Sequence, residues 1–318
     1  MNRSSNRRTL IVTALLCAVA PSWTASAAPR PGKELRVVTT LPDLQDLVER
    51  IGGDRVEVTS ICRGRENIHT VPARPSQLVA LSRADLFVQI GLALEASFVP
   101  NLLLTARNER IQAGAEGFVN CSDGWEAIQV PSQVSRQGGD LHPFGNPHMN
   151  LSPRAGRHMA ERILAGLERV DPDGAEVYRR NHEAWLEELE PAEKRWAEQG
   201  AAWKDRKVVI YHQEYDYLAA VYGIEVVGKV EIKPGIPPTP NHIASLLETM
   251  KREEVEVILT APWSNNRYVE DLAERTGAQV LELPGMCGAE PGTESWIGMM
   301  EHIHRELGQA FERRDEGR

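Results

Sequence analysis

Nine histidines stand in the chain, and three of them stand at the ends of loops. His69 lies in the loop after a β-branched run, His148 closes a stretch rich in Gly, Pro, Gln and Ser, and His212 directly follows Lys207 to Tyr211 (KVVIY). Neutral imidazole is the commonest ligand for divalent transition metals, and three imidazoles with one further donor suit tetrahedral zinc. No HExxH or comparable short spacing joins them. Position alone therefore leaves solvated or core-capping histidine open beside metal ligation. His158, His182, His302 and His304 sit in helical stretches among charged neighbours and read as structural.

The elements that must position these side chains alternate. Glu34 to Thr40 reads as a strand, Leu44 to Ile51 as an amphipathic helix closed by Gly52-Gly53-Asp54, and Val56 to Ile61 as a second strand. A helix at about Ser76 to Ser82, a strand over Asp85 to Ile90, a helix over Glu95 to Ala106 and a strand at Gly117 to Asn120 complete a βαβα series. Asp123 to Asn150 has no sustained period and reads as a surface loop. Helical spacing resumes over Arg154 to Val170 and again from Gly174 to about Ala197, with Asp171-Pro172-Asp173 between them. The second stretch, about 36 Å long at roughly 1.5 Å per residue, can join one lobe to another.

A second series comes after it. Strands are predicted at Lys207 to Tyr211, Ile224 to Val230, Val255 to Thr260 and Gln279 to Leu283. Helices are predicted at Tyr215 to Tyr222, Asn241 to Arg252, Arg267 to Thr276 and from about Glu294. The reading is α/β: two doubly wound α/β lobes joined by a long connecting helix, with residues 28–170 as the N-terminal lobe, 171–204 as the connector and 205–318 as the C-terminal lobe. Strand carboxyl ends facing across a cleft suit a small ligand.

Composition narrows the partners. The 318 residues carry 36 Lys and Arg against 45 Asp and Glu, a formal charge of −9, which offers no general attraction to nucleic acid or anionic lipid. Arg3, Arg7 and Arg8, the apolar run Leu10 to Ala20 and the small residues ending Ala25-Ser26-Ala27 form the pattern of a secretory signal over residues 1–27, cleaved after Ala27. Loss of those three arginines takes the charge from −9 to −12. Cys17 follows Leu16 rather than a small residue, which disfavours lipid anchoring. Three cysteines then remain, Cys62, Cys121 and Cys287, enough for at most one internal bridge and expected to serve as small buried apolar groups. Most of the 18 aromatic residues are expected in the core; Trp263 follows a strand of the second lobe, where a Trp on a cleft wall would report metal binding by its fluorescence.

The chain resembles the periplasmic metal receptors of zinc and manganese ABC importers from about Leu35 to the last helix. Four segments carry the resemblance: VVTTLPDLQDLVERIGGDRVEVTSI; His69 followed by RPSQLVALSRADLFVQIGLALEASF; Asn146-Pro147-His148-Met149-Asn150-Leu151-Ser152-Pro153 against a DPHxWLxP pattern; and VVIYHQEYDYLAAVYGIEVVG, which contains His212. It implies His69, His148 and His212 as metal ligands, a membrane ABC permease as partner, a monomeric receptor in the periplasm, no enzyme activity and only modest tilting of the lobes.

The departures from that family also inform. An acid usually follows the last strand of the second lobe in an LDP turn, whereas this chain reads Leu283-Pro284-Gly285-Met286. Glu231, in the loop VEIKPGIPP, is the expected fourth ligand, with Glu66, Glu214, the Cys287 thiolate and water as alternatives. The stretch Gln133 to Pro147 holds only His142, unlike the His- and acid-rich loop of zinc receptors. Three nitrogens favour zinc over manganese, whose sites take more carboxylate oxygens. The rival readings are a zinc-dependent hydrolase, with water on an open metal position, and a receptor for a chelated metal or corrinoid.

Overall fold

β-branched residues packed on both faces make Leu35–Thr39 (β1) a central strand, and all but Arg36 of its residues are buried. The computed structural model describes residues 34–131, 143–232 and 235–316; the expected signal sequence, Cys17 and His142 lie outside them. Pro42–Gly52 (α1) follows β1, with Pro42 at its start and Leu44, Leu47, Val48 and Ile51 forming its buried stripe. Val56–Ser60 (β2), Pro75–Arg83 (α2), Leu86–Gln89 (β3), Val99–Ala106 (α3) and Phe118–Asn120 (β4) complete the first lobe's sheet and its connections. The strands run parallel in the order β2-β1-β3-β4.

The largest shift of an expected boundary is at Glu95. The helix predicted from Glu95 begins at Val99, because the Glu95 carboxylate turns back to accept the backbone N–H groups of Ile90 at 2.8 Å and Gly91 at 3.1 Å and the Thr40 hydroxyl at 2.8 Å. The chain turns here through positive φ at Gly91, Leu92 and Ala93. A buried polar anchor thus overrides helical periodicity.

Ala155–Val170 (α4) leads to Ala175–Gly200 (α5), the long helix joining the lobes. Its buried stripe, Tyr178, His182, Trp185, Leu189, Ala192, Trp196 and Gly200, steps by three or four residues past α1 and α4. The helix runs through Pro191 without ending. Lys207–Ile210 (β5), Asp216–Tyr222 (α6), Glu225–Lys229 (β6), Pro240–Arg252 (α7), Val257–Thr260 (β7), Asn266–Thr276 (α8) and Gln279–Glu282 (β8) form a second parallel sheet in the order β6-β5-β7-β8. Trp296–Glu316 (α9) returns along α5.

A bulge in β6 determines where Glu231 lies. Val208 pairs with Val226 but Val209 pairs with Gly228, so Val227 is an extra residue in the strand. Beyond β6 the pairing continues, Glu231 N donating to Tyr211 O at 2.8 Å, which sets Glu231 beside the end of β5. Without the bulge the register would slip by one residue and the side chain would face the other way.

One apolar core runs unbroken from the first sheet through α5 and α9 to one face of the second sheet, and a separate cluster lies under α7 and α8. Trp185, Trp196 and Trp296 meet within it, and His304 stacks on Trp196 at 5.2 Å. Cys62, Cys121 and Cys287 are buried and unbridged. The lobes also touch through polar groups: wholly buried Asp43 on α1 accepts from Cys287 N at 3.0 Å, and within its own lobe from Asn150 Nδ2 at 3.0 Å. Among the described residues no helix is long and apolar enough to cross a membrane.

Candidate metal centre

Each of the three histidines is fixed by its local backbone. His69 sits in a single 3-10 turn, Ile68–Thr70, whose N–H is capped by Asn67 Oδ1 at 2.9 Å. The loop that carries it is tied down by Arg74, which donates to Ile61 O at 3.2 Å and pairs with Glu66. His148 N donates to Asn146 Oδ1 at 3.0 Å, a local turn that presents the ring ahead of α4. His212 leaves β5 in extended backbone and caps the turn Gln213–Tyr215. The Tyr215 hydroxyl anchors that turn by donating to Leu283 O at 2.7 Å.

The three rings converge. His148 Nε2 lies 3.3 Å from His212 Nε2, and the ring centroids are 5.1 to 5.2 Å apart in every pairing, all edge to face. One nitrogen from each ring falls within 4.8 Å of the others. Two nitrogens each about 2.0 Å from a tetrahedral zinc stand about 3.3 Å apart, so the His148–His212 spacing matches one edge of such a site. His148 and His212 are buried and His69 is half-buried. Trp263 forms a wall, 5.7 Å from the His212 ring and 6.4 Å from that of His69.

Burial sets the protonation. His212 is pushed down to about 3 by desolvation, with the positive charge of Lys229 adding to it, so it is neutral at physiological pH with a lone pair to donate. Its Nδ1 lies 2.9 Å from Glu231 Oε2. Glu231 is itself buried, which raises its carboxyl above the ordinary range, and its Oε1 accepts from Gly235 N at 2.8 Å.

Glu231 was the expected fourth ligand. Glu231 is outside the convergent group and stands behind His212, on the ring nitrogen turned away from His148. The alternatives do not join the group either. Glu66 pairs with Arg74, Cys287 is buried against Asp43, and Glu214 lies buried with no side-chain partner among the described residues. Among the described residues the group consists of His69, His148 and His212.

Sequence reasoning missed Asn146. Its Nδ2 donates to Gln213 O at 2.9 Å, and its carbonyl accepts from Tyr217 OH at 2.8 Å, stitching the His148 segment to the turn that follows His212. An Asn two residues before a candidate ligand was the available signal.

The family described as ZnuA: Zinc-uptake complex component A periplasmic matches residues 37–310. The manganese-binding lipoprotein MntA of Halalkalibacterium halodurans is 28% identical over 279 residues, covering 85% of this chain and 86% of the relative. The high-affinity zinc uptake system protein ZnuA of Bacillus subtilis is 24% identical over 278 residues, covering 86% and 85%. Among solved structures, a ZnuA crystal structure superposes with a TM-score of 0.73 at 24% identity, covering 87% of this chain and 99% of that one. A zinc-bound ZnuA with residues 138-173 deleted gives 0.73 at 25%, covering 87% and 98%.

Proposed function

The chain belongs to the ZnuA family of periplasmic zinc-uptake components, and we propose that it binds one zinc ion through His69, His148 and His212 and hands it to a membrane ABC permease. The observation that carries this reading is the 3.3 Å separation of His148 Nε2 and His212 Nε2, with a nitrogen of His69 in the same group. Neutral nitrogen donors favour zinc, and manganese is the second choice because no carboxylate joins the three rings among the described residues. A solvent water is the fourth ligand in this reading.

The two-lobed fold supports a division of labour. Residues 28–170 and 205–318 act as two lobes and 171–204 as the connector. His69 and His148 come from segments attached to the first lobe and His212 from the end of β5 in the second, so a small relative tilt breaks the coordination and releases the cargo. The unbroken apolar core along α5 and α9 supports modest tilting over wide closure. The receptor is proposed to act as a periplasmic monomer, exported by a signal cleaved after Ala27.

Zinc titration of metal-free protein, with elemental analysis of the product, tests this. One zinc per chain supports it, and absence of bound metal at micromolar free zinc contradicts it and favours a chelate receptor. The hydrolase reading draws on the open fourth position. Turnover of esters or carbon dioxide by the zinc form far above the metal-free form would support that reading instead.

A further inference from the structure

Resting on the three-histidine reading, we propose that Glu231 is a positioning residue for His212: it holds Nδ1 so that Nε2 is the nitrogen offered to the metal. An imidazole can present either nitrogen, and which one ligates is set by the hydrogen bond the other makes. Glu231 Oε2 stands 2.9 Å from His212 Nδ1, while His212 Nε2 faces His148.

Three features fix the carboxylate there. The bulge at Val227 brings Glu231 into register beside Tyr211, immediately before His212. Gly235 N ties down Oε1 at 2.8 Å, in a turn where Gly235 has φ of +74°. Lys229, two residues earlier, is taken up by Asp216 and leaves the Glu231 carboxylate to the imidazole. Among the described residues Oε2 has no partner besides its 2.9 Å contact with His212 Nδ1, which leaves it to that nitrogen. Ligation through Nε2 supplies the N–H: the ring must then carry its proton on Nδ1, and the carboxylate both accepts that proton's hydrogen bond and strengthens Nε2 as a donor.

The test uses Glu231→Ala and Glu231→Gln in the full mature chain, with zinc competition titrations and proton NMR of the cobalt(II)-loaded protein. Glu231→Ala is expected to weaken zinc binding about 10- to 100-fold. Glu231→Gln, which keeps an acceptor oxygen, is expected to recover a good part of that loss. In the wild type, three hyperfine-shifted, solvent-exchangeable N–H resonances are expected, one per ligand ring. In Glu231→Ala the His212 resonance is expected to be lost to fast exchange while the cobalt visible absorption keeps its tetrahedral form.

Zinc affinity of Glu231→Ala within threefold of wild type, with all three resonances retained, overturns the proposal. So do equal losses in both variants with a changed cobalt absorption, since Glu231 would then be a ligand itself. If Glu231→Ala fails to fold, the His212 resonance in Glu231→Gln decides: a shifted or faster-exchanging signal supports the role, an unmoved one overturns it. A wild-type chain that binds neither zinc nor cobalt removes the three-histidine reading, and this proposal with it.

Discussion

Asn146 donates its side-chain amide to the carbonyl oxygen of Gln213, 2.9 Å away, so the segment that presents His148 is bolted to the residue that follows His212. The same side chain caps His148 N through Oδ1, and its Nδ2 also reaches Asp216 Oδ2 at 3.3 Å. Asn146→Ala strips these bonds and leaves buried groups unsatisfied, at a cost of about 1–3 kcal/mol. The expected result is a lowered melting temperature together with weaker zinc binding, read by calorimetry with and without metal. Loss of stability with unchanged zinc affinity would show that the stitch does not position the ligands.

His212→Ala removes a buried ring that lies at the centre of the group. Zinc affinity is expected to fall by more than roughly tenfold, and by at least as much as in Glu231→Ala, while the metal-free fold persists. Unchanged calorimetric binding would take His212 out of the site.

Gly64, five residues before His69, passes close to the second lobe. A Cβ there would come within 2.2 Å of Gly288 C and 2.4 Å of Ala289 N, both backbone atoms that cannot swing aside. Gly64→Ala is expected to destabilise by about 1–3 kcal/mol through overpacking and to loosen the lobe contact beside the His69 loop. Neighbouring Arg65 pairs with Glu282 and Glu290 across the same junction but is half-exposed, so Arg65→Ala is expected to cost less than about 1 kcal/mol. Denaturant unfolding of the two variants checks the contrast; equal losses would contradict it.

Stability should depend on pH through Glu214. Burial pushes its carboxyl from 4.5 up to about 8, so between those values the folded chain holds a proton that the unfolded chain has lost. That contribution is complete below about 4.5 and disappears as pH rises through about 8. The slope is up to about 1.4 kcal/mol per pH unit. His212, pushed down to about 3, and His304, pushed down to about 4, act the other way: their folded states shed protons that the unfolded chain keeps, so they destabilise as pH falls below about 6.5. Asp43 and Glu95, each raised to about 6, also act mainly below that point. From pH 6.5 to 8 Glu214 dominates, and the metal-free chain is expected to lose about 1–2 kcal/mol. Urea unfolding at both pH values, compared with Glu214→Gln, measures this. Parallel slopes would contradict the assignment.

Much of the architecture was legible because period and punctuation agree. The β-branched runs before His69 and ending at Tyr211 became β2 and β5, and Pro42 and Gly53 bracket α1 where the pattern put the helix. The three histidines were legible as candidates because each lies in a connection between regular elements: His69 between β2 and α2, His148 ahead of α4, and His212 just past β5. Glu95 shows where such reasoning stops: its carboxylate is held by N–H groups four and five residues back, and no helical period encodes that capture. Glu231 shows the same limit at the site. Its loop and strand end were readable, but whether it meets the metal or the back of a ligand ring turns on one extra residue in β6, and Val227 looks like any other strand valine.

X-ray absorption at the zinc edge of the loaded protein tests the central claim most directly. The account predicts a four-coordinate ion at about 2.0 Å with the multiple scattering of three imidazoles, falling to two in His212→Ala. A first coordination sphere of oxygen alone, or three imidazoles that persist in His212→Ala, would contradict it.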